Sequence, residues 1–517
     1  MATKSARAAE ALQRVKDAGL FRDQCLIGDS WVGPRDAADG APAATMDVVN
    51  PSTGDVITRI PNLGYEETRQ AIAAASAAFP DWSSRTAKDR AAVLRRWYDL
   101  IIANREELAL LMTLEQGKPL AEARGEVDYS AGYVQLYAEE ATRAYGDIIP
   151  APLADRRILV QKQPVGVVAV ITPWNFPLAM IARKVAPALA AGCTVVAKPS
   201  ELTPLSAFAL AELAVKAGVP HGVINIVVGD APPIGQAIME SSEVRKLSFT
   251  GSTAVGRRLM AGAAATVKRV SLELGGNAPF IVFDDADVAV AVKGLLAAKF
   301  RNAGQTCVCA NRVLVQAGIY DEFVGAFKNA MEQQLKVGFG LEEGVTQGPL
   351  INAAAVEKVQ AHVDDAKSRG GKVLLGGTRA HPTYLSAPAG ELPEQLPGCF
   401  FHPTLIVDVP ADCLCFQEET FGPLAAVHKF STESDALRIA NESEFGLAAY
   451  VYSGDMGRCF RVAEGLQAGI VGVNESAIST EVAPFGGVKQ SGMGREGSKY
   501  GLQDYMDLKY VCLGNLK

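Results

Sequence analysis

VGVVAVIT, residues 165–172, is a short, uncharged run rich in β-branched residues. Such a run reads as a strand buried on both faces. A helical stretch follows over 178–191, and CTVVAK (193–198) returns to strand texture. A helix over 204–217, the strand GVINIVV (222–228), a helix near 232–240 and the strand VRKLSFT (244–250) continue the alternation. Strands separated by helices of about 10–15 residues imply a parallel sheet with right-handed crossovers. The expected fold class is α/β, a doubly wound, Rossmann-type sheet suited to a nucleotide. Its crevice should lie at the carboxyl ends of the strands, where Asn175, Lys198, Gly229 and Gly251 fall.

On the amino-terminal side, residues 66–145 read as helical, with apolar residues at three-and-four spacing such as Ala87, Ala91, Leu94, Tyr98 and Ile101. Pro150, Pro152 and the charged Asp155, Arg156 and Arg157 lead into ILVQKQ, an extended excursion. On the carboxyl-terminal side a second α/β stretch runs from about 275 to 468. VGVNES (471–476) and DLKYVCLG, near 506–513, read as further strands, and residues 380–398 have the turn composition of a surface insertion.

With 517 residues and about 100–200 residues per domain, two to four domains are expected. The hydrophobic fraction of 49% and charged fraction of 21% exclude disorder as the main state. A net charge of −7 provides no general attraction to nucleic acid or an anionic membrane. The uncharged stretch between Lys162 and Arg183 contains Pro164, Pro173, Pro177 and Gly166, so it reads as strand, loop and helix start rather than a membrane span. Nine cysteines without zinc spacing and 5 scattered histidines suggest no metal site. Reduced thiols fit a cytoplasmic location, with the mitochondrial matrix as the alternative for a eukaryotic source. The amino terminus lacks the apolar core of a secretory signal and reads as a plain helix.

Four segments carry chemistry. FTGSTAVG (249–256) follows a strand and opens a helix, so its N–H groups could take a pyrophosphate or simply form a turn. GQTCVC (304–309) places Cys307 in a loop, as an activated nucleophile or as a small buried hydrophobe. LELGGNAP (272–279) puts Glu273 at a strand end, as a general base or as a paired surface acid. TPWNFP (172–177) fixes Asn175 between prolines, as an oxyanion donor or as a turn residue.

Together with KPSELTP (198–204), FRNAGQTCVC (300–309), EETFGP (418–423) and PFGGVKQSG (484–492), these segments resemble the aldehyde dehydrogenase family from about residue 25 onward. MTLEQGKPLAEA (112–123) and GREGSKYG (494–501) look closest to its succinate-semialdehyde dehydrogenase branch. The resemblance implies Cys307 as nucleophile, Asn175 as oxyanion donor, Glu273 as the base that activates water, and Lys184 and Glu496 as a proton relay. For the cofactor it implies Thr172, Pro173, Trp174, Lys198, Ser200, Glu201, Gly229, Gly251, Ser252, Gly256, Glu273, Leu274, Glu419 and Phe421. A carboxylate at Glu201 accepts from ribose hydroxyls and repels a 2′-phosphate, which favours NAD over NADP. Arg183, Arg301 and Ser479 are implied to hold a distal carboxylate, unless either arginine pairs with an acidic neighbour, and Phe176 and Phe485 to wall the chain. Cys309 is a candidate redox partner of Cys307, against a passive packed role.

The implied reaction is oxidation of succinate semialdehyde, with glutarate semialdehyde or a broader aldehyde range as alternatives. The resemblance also divides the chain. Residues 1–147, 164–274 and 469–488 would bind the dinucleotide, 275–468 would form the catalytic unit, and 148–163 with 489–517 would form the contact of a homodimer or homotetramer.

Overall fold

The computed structural model describes residues 4–34, 44–380 and 399–516. Most of the expected insertion, residues 381–398, lies outside the described residues. The run that opens the sequence argument is the strand Val167–Ile171, with Val167 to Val170 buried. It pairs in parallel with Thr194–Lys198 on one side and Val244–Thr250 on the other. The helix between the first two strands, Ala179–Ala191, is buried along its whole length and ends at Gly192, whose φ of 97° suits a residue without Cβ.

Within an eight-stranded sheet, the five central strands run parallel in the order Ile224–Ile226, Thr194–Lys198, Val167–Ile171, Val244–Thr250, Arg269–Glu273. The chain moves outward from Val167–Ile171 in one direction, then crosses back to its other side. That reversal opens a crevice between the loops after Ile171 and Thr250. TPWNFP and the Gly251–Ser252 turn occupy it. Ser252 caps the helix Thr253–Ala263 by accepting from the Val255 N–H. Gly256 allows that helix to pack closely, since a Cβ there would lie 2.4 Å from Leu274 Cδ2.

The chain passes from Glu273 through residues 274–277 into a seven-stranded sheet at Ala278–Val282. Ala310–Gln316 lies beside that strand, so Cys307 sits just before a central strand of the second sheet. A three-stranded sheet joins Met506–Leu513, Arg157–Pro164 and Asp147–Ile149, as the excursion and terminal strand suggested.

Two segment assignments need correction. Residues 469–488 were expected with the dinucleotide unit, yet Ile470–Val473 pairs with Ala448–Tyr452 and forms an edge of the second sheet. Residues 489–517 were expected to belong wholly to the contact element, yet Gly492–Met493 pairs with Leu272 and Glu273 in the first sheet. An apolar strand is recognisable from its residues, but its partner is set by tertiary packing.

Candidate active site

Two recesses meet at Cys307. The larger, about 330 Å3, lies over the crevice of the first sheet and is bordered by Pro173, Trp174, Gly251, Ser252, Glu419 and Phe421. Trp174 and Phe421 meet edge to face at 5.5 Å. Phe421 holds a φ of 55°, uncommon for a bulky side chain. Glu419 Oε1 accepts the Gly276 N–H at 3.0 Å, and the other carboxylate oxygen has no donor among the described residues. Burial raises the Glu419 pKa to about 7, opposed by the Gly276 N–H and Lys358. A half-buried acid with a free acceptor oxygen, beside two aromatic rings and a glycine turn, fits a ribose and planar ring of a dinucleotide. Farther along the strand ends, Lys198 Nζ lies 3.1 Å from Glu201 Oε2.

The nucleophile loop is wound in the left-handed region. Asn302, Ala303 and Gly304 have φ values of 52°, 55° and 77°. At Gly304 a Cβ would lie 2.2 Å from the Gly422 carbonyl oxygen, so only glycine fits. Asn175 Nδ2 donates to the Gln305 carbonyl at 3.0 Å, which leaves its second N–H for another acceptor. Burial pushes the Cys307 thiol up to about 12; Arg183 pulls it down, while Glu419 and Glu273 push it further up. The thiol of the free protein is therefore held protonated at neutral pH. The alkylation rate of Cys307 with iodoacetamide should keep rising from about pH 7 to about pH 10, since the thiolate is the reactive form. A plateau near about pH 8 would contradict that environment.

Glu273 borders neither recess. It is buried, and neither carboxylate oxygen has a hydrogen-bond partner among the described residues. Burial, then the charge of Glu496, raises its pKa well above the usual carboxylate range, against Arg183, Lys184 and Arg495. A Cβ on Gly486 would lie 2.9 Å from Glu273 Oε1, so the glycine leaves that side of the carboxyl open. Lys184 Nζ donates to Glu496 Oε1, and Arg183 Nε lies 2.5 Å from Glu496 Oε2. Glu496 thus binds two adjacent cations from one helix, and Arg183 has the acidic neighbour that the sequence left open.

The second recess, on the far side of Cys307, is lined by Phe176, Arg183, Arg301, Ser479 and Phe485, together with Tyr129 and Met180. Arg183 lies over the Phe485 ring at 4.7 Å, and Arg301 over the Phe176 ring at the same distance. Arg301 has no ion-pair partner among the described residues. Beyond it, a further space of about 130 Å3 is bordered by Ala297, Ala298, Tyr450 and Ser476.

The structure thus gathers all five expected substrate residues around one recess. Of the expected cofactor residues, Leu274 also borders the larger recess, whereas Thr172, Lys198, Ser200, Glu201, Gly229 and Gly256 do not. Gly229 has a packing reason: a Cβ there would lie 1.9 Å from the Leu63 carbonyl oxygen. Cys309 is buried, its Sγ donating to the Lys299 carbonyl at 3.2 Å, and it borders neither recess. Sequence reading missed Ile351, Asn352 and Lys358, which border the larger recess. The signal for them was Asn352, an N-cap opening the helix Ala353–Ser368. From that helix Lys358 Nζ reaches the Glu419 carbonyl at 2.6 Å.

Comparison with known proteins agrees with this arrangement. The pattern of the aldehyde dehydrogenase family matches residues 38–511. The mitochondrial succinate-semialdehyde dehydrogenase of Oryza sativa subsp. japonica is 59% identical, over 99% of this chain and 93% of that protein. The glutarate-semialdehyde dehydrogenase of Pseudomonas aeruginosa is 55% identical, over 97% of this chain and 100% of that protein. A crystal structure described as an E. coli NADP dependent enzyme superposes with a TM-score of 0.91 at 55% identity, covering 96% of this chain and 99% of that one. Cleft, cysteine loop and buried acid, seen with these likenesses, have one reading: the chain belongs to the aldehyde dehydrogenase family.

Proposed function

We propose that this protein oxidises succinate semialdehyde to succinate with NAD as the preferred dinucleotide. The observation that carries the substrate is Arg301, a guanidinium without an acidic partner among the described residues, in the recess that ends at Cys307. A short ω-carboxylate aldehyde would span from Cys307 Sγ to Arg301, its methylenes between Phe176 and Phe485. Arg183 already shares Glu496 with Lys184, so it contributes less. The space beyond Arg301 favours a second reading, glutarate semialdehyde, one methylene longer; a methylene is worth only about 1–3 kcal/mol of discrimination.

The Cys307 thiol gives up its proton to solvent as its sulfur adds to the aldehyde carbon, and Asn175 Nδ2 and the Cys307 N–H hold the resulting oxygen. When bound in the larger recess, a nicotinamide dinucleotide supplies the acceptor for the hydrogen and electron pair leaving that carbon. A thioester remains on Cys307. Glu273 takes a proton from water, the hydroxide displaces sulfur, and the acid and free thiol result. The Lys184–Glu496 pair lies behind Glu273 and offers the proton a path away.

Glu201 supports the preference for NAD, because its charge opposes a 2′-phosphate. Apolar side chains exposed on the three-stranded sheet, Ile148, Leu508 and Tyr510, support a homo-oligomer. Among the described residues no helix is long and apolar enough to cross a membrane.

Arg301→Met tests the substrate assignment. We expect kcat/KM for succinate semialdehyde to fall about 10²-fold, as for loss of a buried charge partner, with butanal unaffected. An equal loss on butanal would mean that Arg301 maintains the loop rather than the substrate.

A further inference from the structure

We propose that Lys118, seconded by Asn302, is the positioning residue that aims the Asn175 amide at the reacting oxygen. This rests on the role given to Asn175 above. The Asn175 main-chain carbonyl accepts from two side chains outside its own loop. Lys118 Nζ donates at 2.8 Å and Asn302 Nδ2 at 2.9 Å. Asn302 Nδ2 also reaches the Gln305 carbonyl at 3.3 Å, the same oxygen that the Asn175 amide uses at 3.0 Å. The oxyanion loop and the nucleophile loop are therefore tied to one another, and both are tied to Lys118 or its neighbours.

The anchor beneath them is built from one short segment. Lys118 is 2% exposed and Glu126 1%, and Nζ lies 2.5 Å from Glu126 Oε2. The second oxygen of Glu126 accepts the N–H groups of Leu178 and Ala179 at 3.0 and 3.2 Å, capping the helix that carries Arg183 and Lys184. Gln116 Nε2 donates to Asn302 Oδ1 at 3.0 Å, and Glu122 Oε2 accepts the Asn302 N–H at 2.9 Å. These bonds hold Asn302 at its positive φ. Lys118 Nζ also sits 4.1 Å from the centre of the Phe176 ring, one wall of the substrate recess.

A buried ion pair is costly in desolvation and is weak evidence of stabilisation in itself. Here each charge spends its directional bonds on the site: the ammonium on the Asn175 carbonyl, the carboxylate on the helix start. An oxyanion donor has to lie within about 2.7–3.1 Å of the developing charge, and displacement by about 1 Å costs on the order of 10²-fold in rate. Lys118 borders neither recess; it meets the site at the Asn175 carbonyl and the Phe176 ring, and a cycle with Asn175 separates the first route from the second.

A double-mutant cycle reads that dependence. Asn175→Ala should lower kcat about 10²–10³-fold. Lys118→Met should lower kcat about 10²-fold, with cofactor affinity measured by fluorescence titration within about twofold of wild type. In the Asn175→Ala background, Lys118→Met should add no further loss, and Lys118→Arg in the wild-type background should recover part of the rate. If the two losses multiply, or if Lys118→Met alone turns over at the wild-type rate, the proposal is overturned. If Asn175→Ala itself keeps full kcat, the role assigned to Asn175 is what fails. Should Lys118→Met not yield folded protein, Asn302→Ala, which leaves the Lys118–Glu126 pair intact, enters the same cycle with the same two outcomes.

Discussion

Cys307→Ala will form no reduced dinucleotide from aldehyde above the level of a cysteine-free control. The expected loss in kcat is at least about 10⁴-fold, the scale seen when a nucleophile is removed from an otherwise complete site. Cys307 is the one thiol that borders both recesses among the described residues. Cys309 cannot substitute without rebuilding the loop, since its sulfur is buried and bonded to the Lys299 carbonyl. The replacement is small and changes no ion pair, so thermal stability and cofactor titration should match wild type. Residual turnover within about tenfold of wild type would show that the chemistry is not covalent at this residue.

Glu273→Gln separates the two halves of the reaction. Cys307 addition and the first oxidation need no base at Glu273, so a first turnover should still occur. Hydrolysis of the thioester then loses its base, which typically costs about 10²–10⁴-fold. Rapid mixing should therefore show a burst of about one equivalent of reduced dinucleotide per site, followed by slow turnover. In the wild type, burial and Glu496 raise the Glu273 pKa, so its ionised fraction grows as pH rises. Steady-state hydrolysis should rise with pH through that titration, and the glutamine variant should lose the dependence. No burst and an unchanged pH profile would assign the base elsewhere.

The two residues also show what the sequence could and could not convey. Cys307 and Glu273 stand in short local motifs, each at the end of a regular element, and local order is what spacing reports. The alternation around Val167–Ile171 carried the first sheet for the same reason. Partnerships between distant segments were not legible. Arg183 meets Glu496 across most of the chain, and only packing of the carboxyl-terminal loop against the helix Ala179–Ala191 creates that pair. Lys118 looks like an ordinary polar residue after a helix, because its role depends on burial beneath Asn175. Ile470–Val473 has unmistakable strand residues, but which sheet receives it is decided by Ala448–Tyr452. Gly229 was placed at the crevice because it follows the strand read over 222–228, while its missing Cβ faces Leu63.

The most direct test of the account is the rate of NAD reduction with succinate semialdehyde, glutarate semialdehyde and butanal. A recess ending in Arg301 predicts that both acids exceed butanal in kcat/KM by about 10²-fold or more, succinate semialdehyde leading. Equal values for butanal and the two acids would contradict the distal-carboxylate site.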